Sequence, residues 1–239
     1  SQANTLVNKG AAVIVAIATP SAIAAAGAAE NQGVPVVYCA ITDPSVMANY
    51  KNVTGSSDIP NFDKQLEVVT SYMNRKDLKI GVLYSTEESS SPIQVANLKE
   101  AAKSYPGMEI LDSAVADITT IDAKTTELLS RGADCLVNLL DNTVVGKLET
   151  NILPLTNEAR IPVFGSEIEQ VKIGCLASAS IDYITVGKSA GAAAAKILAG
   201  TPAGDIPVAT ITDPTVYYNS RVAAELRIAI PAEPGTDVA

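Results

Sequence analysis

The stretch AAVIVAIATPSAIAAAGAAENQGVPVVYCAITDP, residues 11–44, decides the fold. Residues 11–18 (AAVIVAIA) are one continuous apolar run, and Thr19-Pro20 breaks it. Residues 21–32 are Ala-rich, the composition of a helix, and Gly33 closes them. Residues 34–41 (VPVVYCAI) are a second apolar run, stopped by Thr42-Asp43-Pro44, where proline has no amide to give a ladder. A strand that is apolar without alternation is covered on both faces. Two such strands separated by a helix read as a βαβ unit of a parallel sheet.

The same alternation continues outward. Residues 45–60 lack periodicity and contain NVTGSSDIP, a connector. Residues 61–74 place Phe62, Leu66, Val69 and Met73 at helical spacing. KIGVLY (79–84) is a strand, followed by the loop STEESSSP with Ser91 as helix cap and Pro92 at the first helical position. Strands are expected at 109–115, 134–140, 161–164, 174–179, 206–211 and 216–218. Helices are expected at 119–131, 144–159, from a cap at Asp182 to Leu198, and at 219–226. Gly187 and Gly191 fall inside the 182–198 helix, where small residues permit close packing on a sheet. Val15 and Val36 are expected in the sheet core. The class is α/β, doubly wound and parallel. A short echo, ITDPSV at 41–46 and ITDPTV at 211–216, reads as two Asp-Pro turns after strands.

Composition narrows the function. The chain has 239 residues, 47% hydrophobic and 18% charged, a folded and not a disordered composition. Its net charge is −9, with no basic cluster, which disfavours nucleic acid and anionic membrane surfaces. There is no histidine, so Ser-His-Asp and Cys-His catalysis are excluded and the commonest zinc ligand is missing. Cys39, Cys135 and Cys175 are widely spaced within or beside apolar runs and read as buried small hydrophobes. No apolar run reaches the ~18 residues of a membrane span. Residues 1–9 read as polar helix and not as a signal peptide. No G-x-G-x-x-G, P-loop or G-x-S-x-G loop follows a strand, and no cofactor, metal or catalytic residue is expected.

Polar residues gather instead after the strands, at the edge where open α/β sheets bind ligands. They are Thr19 and Ser21 after the first strand and Thr42 and Asp43 after the second. Further along come Glu87, Glu88, Ser90 and Ser91, then Asp141 and Asn142, then Ser166 and Glu167. Taken singly, each is a helix cap or turn former. Together they suit a bipolar ligand: a helix N-terminus with hydroxyls for a carboxylate, and acidic side chains for an ammonium.

These segments resemble the ABC-transporter substrate-binding proteins of the tryptophan/tyrosine-type group. The resemblance lies in VIVAIATPSA (13–22), VPVVYCAITDP (34–44), NVTGSSD (52–58), KIGVLYSTEESS (79–90), LLDNTVV (139–145), IPVFGSE (161–167), SIDYITVGKSAG (180–191) and VYYNSRVAAELRIAIP (216–231). It implies the periplasmic-binding-protein type I fold: two Rossmann-like lobes with parallel sheets joined by hinge strands. Lobe 1 would hold 1–57 and 180–210, and lobe 2 would hold 58–179 and 211–239. The resemblance also implies a further β-α-β unit ahead of residue 1, so lobe 1 is expected to be N-terminally incomplete and its thin sheet to expose an edge. Ligand contacts carried over fall on Thr19, Ser21, Ala22, Thr42, Asp43, Ser57, Asp58, Glu88, Ser90, Asp141 and Asn142. Asp141 would take an ammonium and the turn at 19–22 a carboxylate, with Tyr84, Phe164 and Tyr183 as apolar walls. The loop STEESSS departs from the asparagine and glycine usual there.

The expected function is therefore an extracytoplasmic solute-binding receptor of an ABC importer. It would bind an amino acid, of aromatic type, by hinge closure and deliver it to a membrane permease. A lipid anchor outside these residues would be its only membrane link. Two rivals stand beside this reading. One is the effector-sensing domain of a regulator with the same fold, which needs a helix-turn-helix segment that this sequence lacks. The other is an enzyme using the Glu87–Glu88 pair, although adjacent loop residues seldom converge on one substrate atom.

Overall fold

The computed structural model describes residues 2–211 and 213–239. Ser1 and Thr212, expected in lobe 1 and lobe 2 and, for Thr212, in the ITDP echo, lie outside the described residues. The chain forms two compact units, residues 1–59 with 181–213, and residues 60–180 with 214–239.

Residues 1–59 supply α1 (Gln2–Asn8), β1 (Ile14–Ile17), α2 (Thr19–Ala29), β2 (Val36–Ile41) and β3 (Val53–Ser57). Residues 60–180 supply α3 (Phe62–Met73), β4 (Lys79–Ser85), α4 (Ser91–Ala102), β5 (Glu109–Val115), α5 (Ile121–Ser130) and β6 (Cys135–Val137). They continue with α6 (Asn142–Val145), α7 (Leu153–Glu158), β7 (Val163–Phe164), α8 (Ile168–Ile173) and β8 (Ala177–Ser180). The remainder gives α9 (Tyr183–Leu198), β9 (Ala209–Thr210), β10 (Thr215–Tyr218), α10 (Ser220–Leu226) and β11 (Thr236–Asp237). No helix among the described residues is long and apolar enough to cross a membrane.

In the first unit the sheet order is β1-β2-β3-β9, and every pair is parallel. The Ala-rich α2 buries Ala22, Ala25, Ala26 and Ala29 against Ile14, Ala16, Val36 and Tyr38. Short side chains bring the helix close to the sheet. On the other face α9 packs Val186, Ala190 and Ala193 against Val37, Cys39 and Ile206. Gly55 is required in β3, because a Cβ there would lie 2.0 Å from the Tyr38 carbonyl oxygen.

β1 is the edge strand, as a thin sheet demands, and this corrects one expectation. Val36 is 1% exposed, but Val15 is 51% exposed and Ile17 67%. α2 covers one face of β1, whereas α9 packs on β2 and β3. The outward residues of β1 are therefore uncovered although their sequence is as apolar as that of a central strand. Gly187 and Gly191 also differ from expectation. Open space surrounds both, so they do not mediate close packing.

In the second unit β5-β4-β6-β7 is an all-parallel sheet. Ile80, Val82 and Val137 face α3 and α4 through Leu66, Val69 and Leu98. Leu83, Leu111 and Leu136 face the other way, toward Leu128, Val144, Leu148 and Ile152. A small second sheet, absent from the sequence reading, pairs β10 antiparallel to β8 and parallel to β11. The helix expected over 144–159 is three pieces: α6, a π-turn at Leu148–Ile152, and α7 with Pro154 in its first turn. Proline has no amide for an i−4 bond, so the chain widens ahead of it. The three cysteines are free and buried, and burial pushes the thiols of Cys135 and Cys175 up.

Candidate functional site

In each unit the parallel strands end at a common carboxyl edge, and the residues named from sequence lie there.

In the first unit β1 is followed by Ala18, whose backbone has φ 67° and ψ 158°, a region that favours glycine. The Ala18 amide donates to the Cys39 carbonyl at 3.0 Å, fixing the turn to β2. α2 starts at Thr19 with Pro20 in its first turn and no capping side chain on Ala18. The amides of Thr19 and Ser21 have no intrahelical acceptor by helix geometry. Ala22 is different. Its amide donates to the Ala18 carbonyl at 3.1 Å and its side chain is in the core, which removes it from the candidate contacts.

β2 ends in a bulge between Tyr38 and Ile41, with Ala40 at φ 56°. Bulges re-aim the chain next to sites, and this one precedes Thr42. Asp43 caps the short 3-10 turn at Pro44–Met47 by accepting from the Ser45 amide at 3.0 Å. Ser57, at the end of β3, is fully buried and its hydroxyl donates to Thr210 Oγ1 at 3.3 Å. Ser57 thus has its hydroxyl engaged, whereas Asp43 is partly exposed and uses Oδ1 for its cap.

Asp58 is the chemically distinctive residue of this edge. It is 5% exposed. It accepts from the Tyr183 hydroxyl at 2.9 Å and from Thr42 Oγ1 at 3.2 Å. Burial raises its pKa, and the two hydroxyl bonds together with its own backbone amide only partly offset that. These donors are neutral, and among the described residues no ion pair reaches this carboxylate. Tyr183, at the start of α9, is 37% exposed and stands beside Asp58 with its ring on the rim. The TDP and NVTGSSD segments contained Thr42 and Asp58; the Tyr183 partnership was not legible, because 125 residues separate it from Asp58.

In the second unit the predicted residues come together more tightly. Asp141 is 0% exposed. Its Oδ2 accepts from the Ser85 amide at 2.6 Å and from Ser91 Oγ at 2.7 Å, and its Oδ1 accepts from the Val144 amide at 3.0 Å. Glu88 Oε1 accepts from the Thr143 amide at 2.9 Å and from Thr143 Oγ1 at 3.2 Å, while Oε2 accepts from Asn142 Nδ2 at 3.3 Å. The sequence reading of Asp141 as an open partner for an ammonium does not match this geometry. Its oxygens face three donors of the protein itself.

Ser90 is nearly buried at the N-cap of α4 and makes no capping bond, and Ser91, expected as that cap, directs its hydroxyl to Asp141. A further network includes Gln94, Asn138 and Gln170, which the sequence reading did not name, beside Ser166 and Glu167, which it did. Gln94 pairs with Leu140 through both backbone groups, at 2.9 and 3.1 Å. Gln170 Oε1 accepts from Asn138 Nδ2 at 3.1 Å and the Ser166 amide at 3.0 Å. Ser166 Oγ donates to the Asn138 carbonyl at 2.6 Å, and Glu167 caps α8. Of the expected apolar walls, Phe164 is fully buried and packs edge-on against Tyr72 at 6.3 Å, so it is core. Tyr84 is half-buried against the same core. A cleft of about 260 Å³ at the opposite, amino edge of the first unit, beside Ala29, Val36 and Tyr50, holds none of the predicted residues. Among the described residues no group of three His, Cys, Asp or Glu side chains could hold a metal.

Two α/β units whose carboxyl edges gather hydroxyls, helix starts and carboxylates define a binding scaffold of the periplasmic-binding-protein type I class. The chain belongs to the family of ABC transporter substrate binding proteins, whose family model matches residues 1–234. It is 35% identical over 214 residues to a tyrosine-binding protein of Clostridioides difficile (strain R20291), covering 87% of this chain and 60% of that relative. It is also similar to the solved ABC domain from Streptococcus pneumonia in complex with L-Trp. Identity there is 30%, the TM-score 0.88, and coverage 99% of this chain and 82% of that one. A ligand-free, open structure of a substrate binding protein with adhesive properties from Clostridium difficile matches at 30% identity and TM-score 0.75, over 99% and 81% of the two chains. A myo-inositol-bound solute binding protein from Bacillus halodurans, 17% identical with TM-score 0.64, shares the fold. The family is one of non-enzymatic binding proteins, and the regulator reading finds no support in these comparisons.

Proposed function

We propose that the chain is the extracytoplasmic receptor of an ABC importer and binds an aromatic amino acid, tyrosine or tryptophan. The relatives' own ligands support the choice of amino acid. The observation that carries the reading is Asp58: a buried carboxylate held by neutral donors, the Thr42 and Tyr183 hydroxyls, with Tyr183 partly exposed beside it. Burying an ion without a counter-charge is unfavourable, and a ligand ammonium supplies that charge. The amides and hydroxyls of Thr19 and Ser21 at the start of α2 take the ligand carboxylate. Tyr183 supplies an apolar wall for the ring. Binding shifts the protein toward a closed form in which both units contact the ligand, and that form docks on a membrane permease. A lipid anchor carried outside these residues fits this location.

The test is calorimetric titration with L-tyrosine, L-tryptophan and L-leucine. Binding of either aromatic amino acid in preference to leucine is expected. Asp58→Asn is expected to weaken binding by roughly 2–5 kcal/mol, because the ammonium loses its charged partner. Absence of binding to both aromatic amino acids, or full affinity in Asp58→Asn, overturns the reading.

A further inference from the structure

We infer that Asp141 and Glu88 are positioning residues: they lock the 85–91 loop and the 141–144 turn into one preformed rim, and neither carries the ligand's charge. The inference rests on the proposed function above for its ligand. The two carboxylates lie at the start of α6, and together they accept the amides of Thr143 and Val144, donors that a helix start leaves open. The Asp141 carboxylate also accepts from the Ser85 amide, at the end of β4, and from Ser91 Oγ, in the first turn of α4. One fully buried side chain thus joins three elements: β4, α4 and α6. Glu88 closes the loop between β4 and α4 onto the same turn from outside, through Thr143 and Asn142.

This arrangement explains two acidic side chains at one turn with, among the described residues, no ion pair to either. Helix-start amides and hydroxyls complement their charge. Exchange of Asp141 for its amide is therefore expected to cost part of this lock. Asparagine offers one oxygen, which can serve Val144 or Ser85 but not both. Gln94 holds the preceding residue, Leu140, through both its backbone groups, so the turn is fixed on its other side as well. A rim held in this way needs no ordering when ligand arrives, so less of the binding free energy is lost to ordering.

The experiment uses Asp141→Asn, Glu88→Ala and Glu88→Gln beside the wild type. Backbone amide hydrogen exchange is measured without ligand, and affinity is measured for L-tyrosine and for its des-amino analogue 3-(4-hydroxyphenyl)propanoate. Expected is faster exchange, by about tenfold or more, at Ser85 and Val144 in Asp141→Asn and at Thr143 in Glu88→Ala, with partial recovery in Glu88→Gln. Affinity for both compounds falls together, so the ratio between them stays within about threefold of wild type. A ratio collapsing toward one in Asp141→Asn means that Asp141 faces the ammonium and overturns the inference. Faster exchange with unchanged affinity overturns the positioning role. If Asp141→Asn does not fold, the Glu88 variants decide by the same readings. If the wild type binds neither compound, the functional reading fails, and the exchange data alone decide whether the carboxylates lock the rim.

Discussion

Asp58 and Asp141 are both buried aspartates near strand ends, yet their surroundings differ. Asp141 is complemented by two backbone amides and a hydroxyl. Asp58 accepts from two side-chain hydroxyls, and burial raises its pKa. The sign of the consequence follows from proton counting. Between the ordinary carboxylate pKa and the raised one, the folded protein holds a proton that the unfolded chain has lost, so stability falls as pH rises through that window. Asp58→Asn is therefore expected to be at least as stable as wild type at pH 7 and to lose that slope, read by urea unfolding between pH 4 and 7. Ligand affinity should move the opposite way, weakening as pH falls through the raised pKa, because the ammonium needs the ionised form. The Tyr183 hydroxyl on α9 is a titratable group in direct contact with Asp58. The exposed caps Asp117 and Asp182 behave conversely: hydrogen bonds hold their pKa down, so their contribution is present at neutral pH and is lost on acidification.

Among the elements, β1 and β2 show how far an apolar sequence specifies burial. Both read as continuous apolar runs, and their register is parallel from Ile14↔Val36 to Ile17↔Cys39. Only β2 has a helix on each face. Val36→Ala should therefore cost about 2 kcal/mol in a denaturant titration, whereas Val15→Ala should stay within about 0.5 kcal/mol. The exposed side of β1, with Val15 and Ile17, is an open ladder edge as well as an apolar surface. The break in the 144–159 segment has the same character. Its apolar spacing is helical throughout, but α6 ends at its C-cap Gly146 and Pro154 lies in the first turn of α7, so the segment is in pieces.

At the scale of the whole molecule, two units built from interleaved segments bear on function through the closure proposed above. Addition of L-tyrosine is expected to reduce the radius of gyration in small-angle scattering and to raise the melting temperature. At a ligand concentration of 100 times Kd the gain is about 2.7 kcal/mol. An unchanged scattering profile at saturating ligand would remove hinge closure from the mechanism while leaving binding itself in place. The permease partner is open to a direct check: the ligand-loaded protein should stimulate ATP hydrolysis by its reconstituted transporter more than the ligand-free protein does.

The residue order alone determined the α/β class, the parallel sheets and the edge at which the polar residues collect. Continuous apolar runs, helical periodicity and Asp-Pro or Thr-Pro breaks are local signals, and local signals survive without knowledge of the partners. The family resemblance was also legible, in ATPSA, TDP, NVTG and DN read in order. Tertiary structure alone decided which of the collected side chains are open and which are already engaged. Asp141 and Glu88 carry charge in the sequence, but donors up to 56 residues away in sequence surround them. The pairing that defines Asp58 is invisible in sequence, because its partner Tyr183 returns from a segment 125 residues later. Val15 and Phe164 exchanged the exposures expected of them for the same reason. Burial and hydrogen-bond completion depend on what packs against a residue, and in a chain that forms one unit from two distant segments, those neighbours are not its neighbours in sequence.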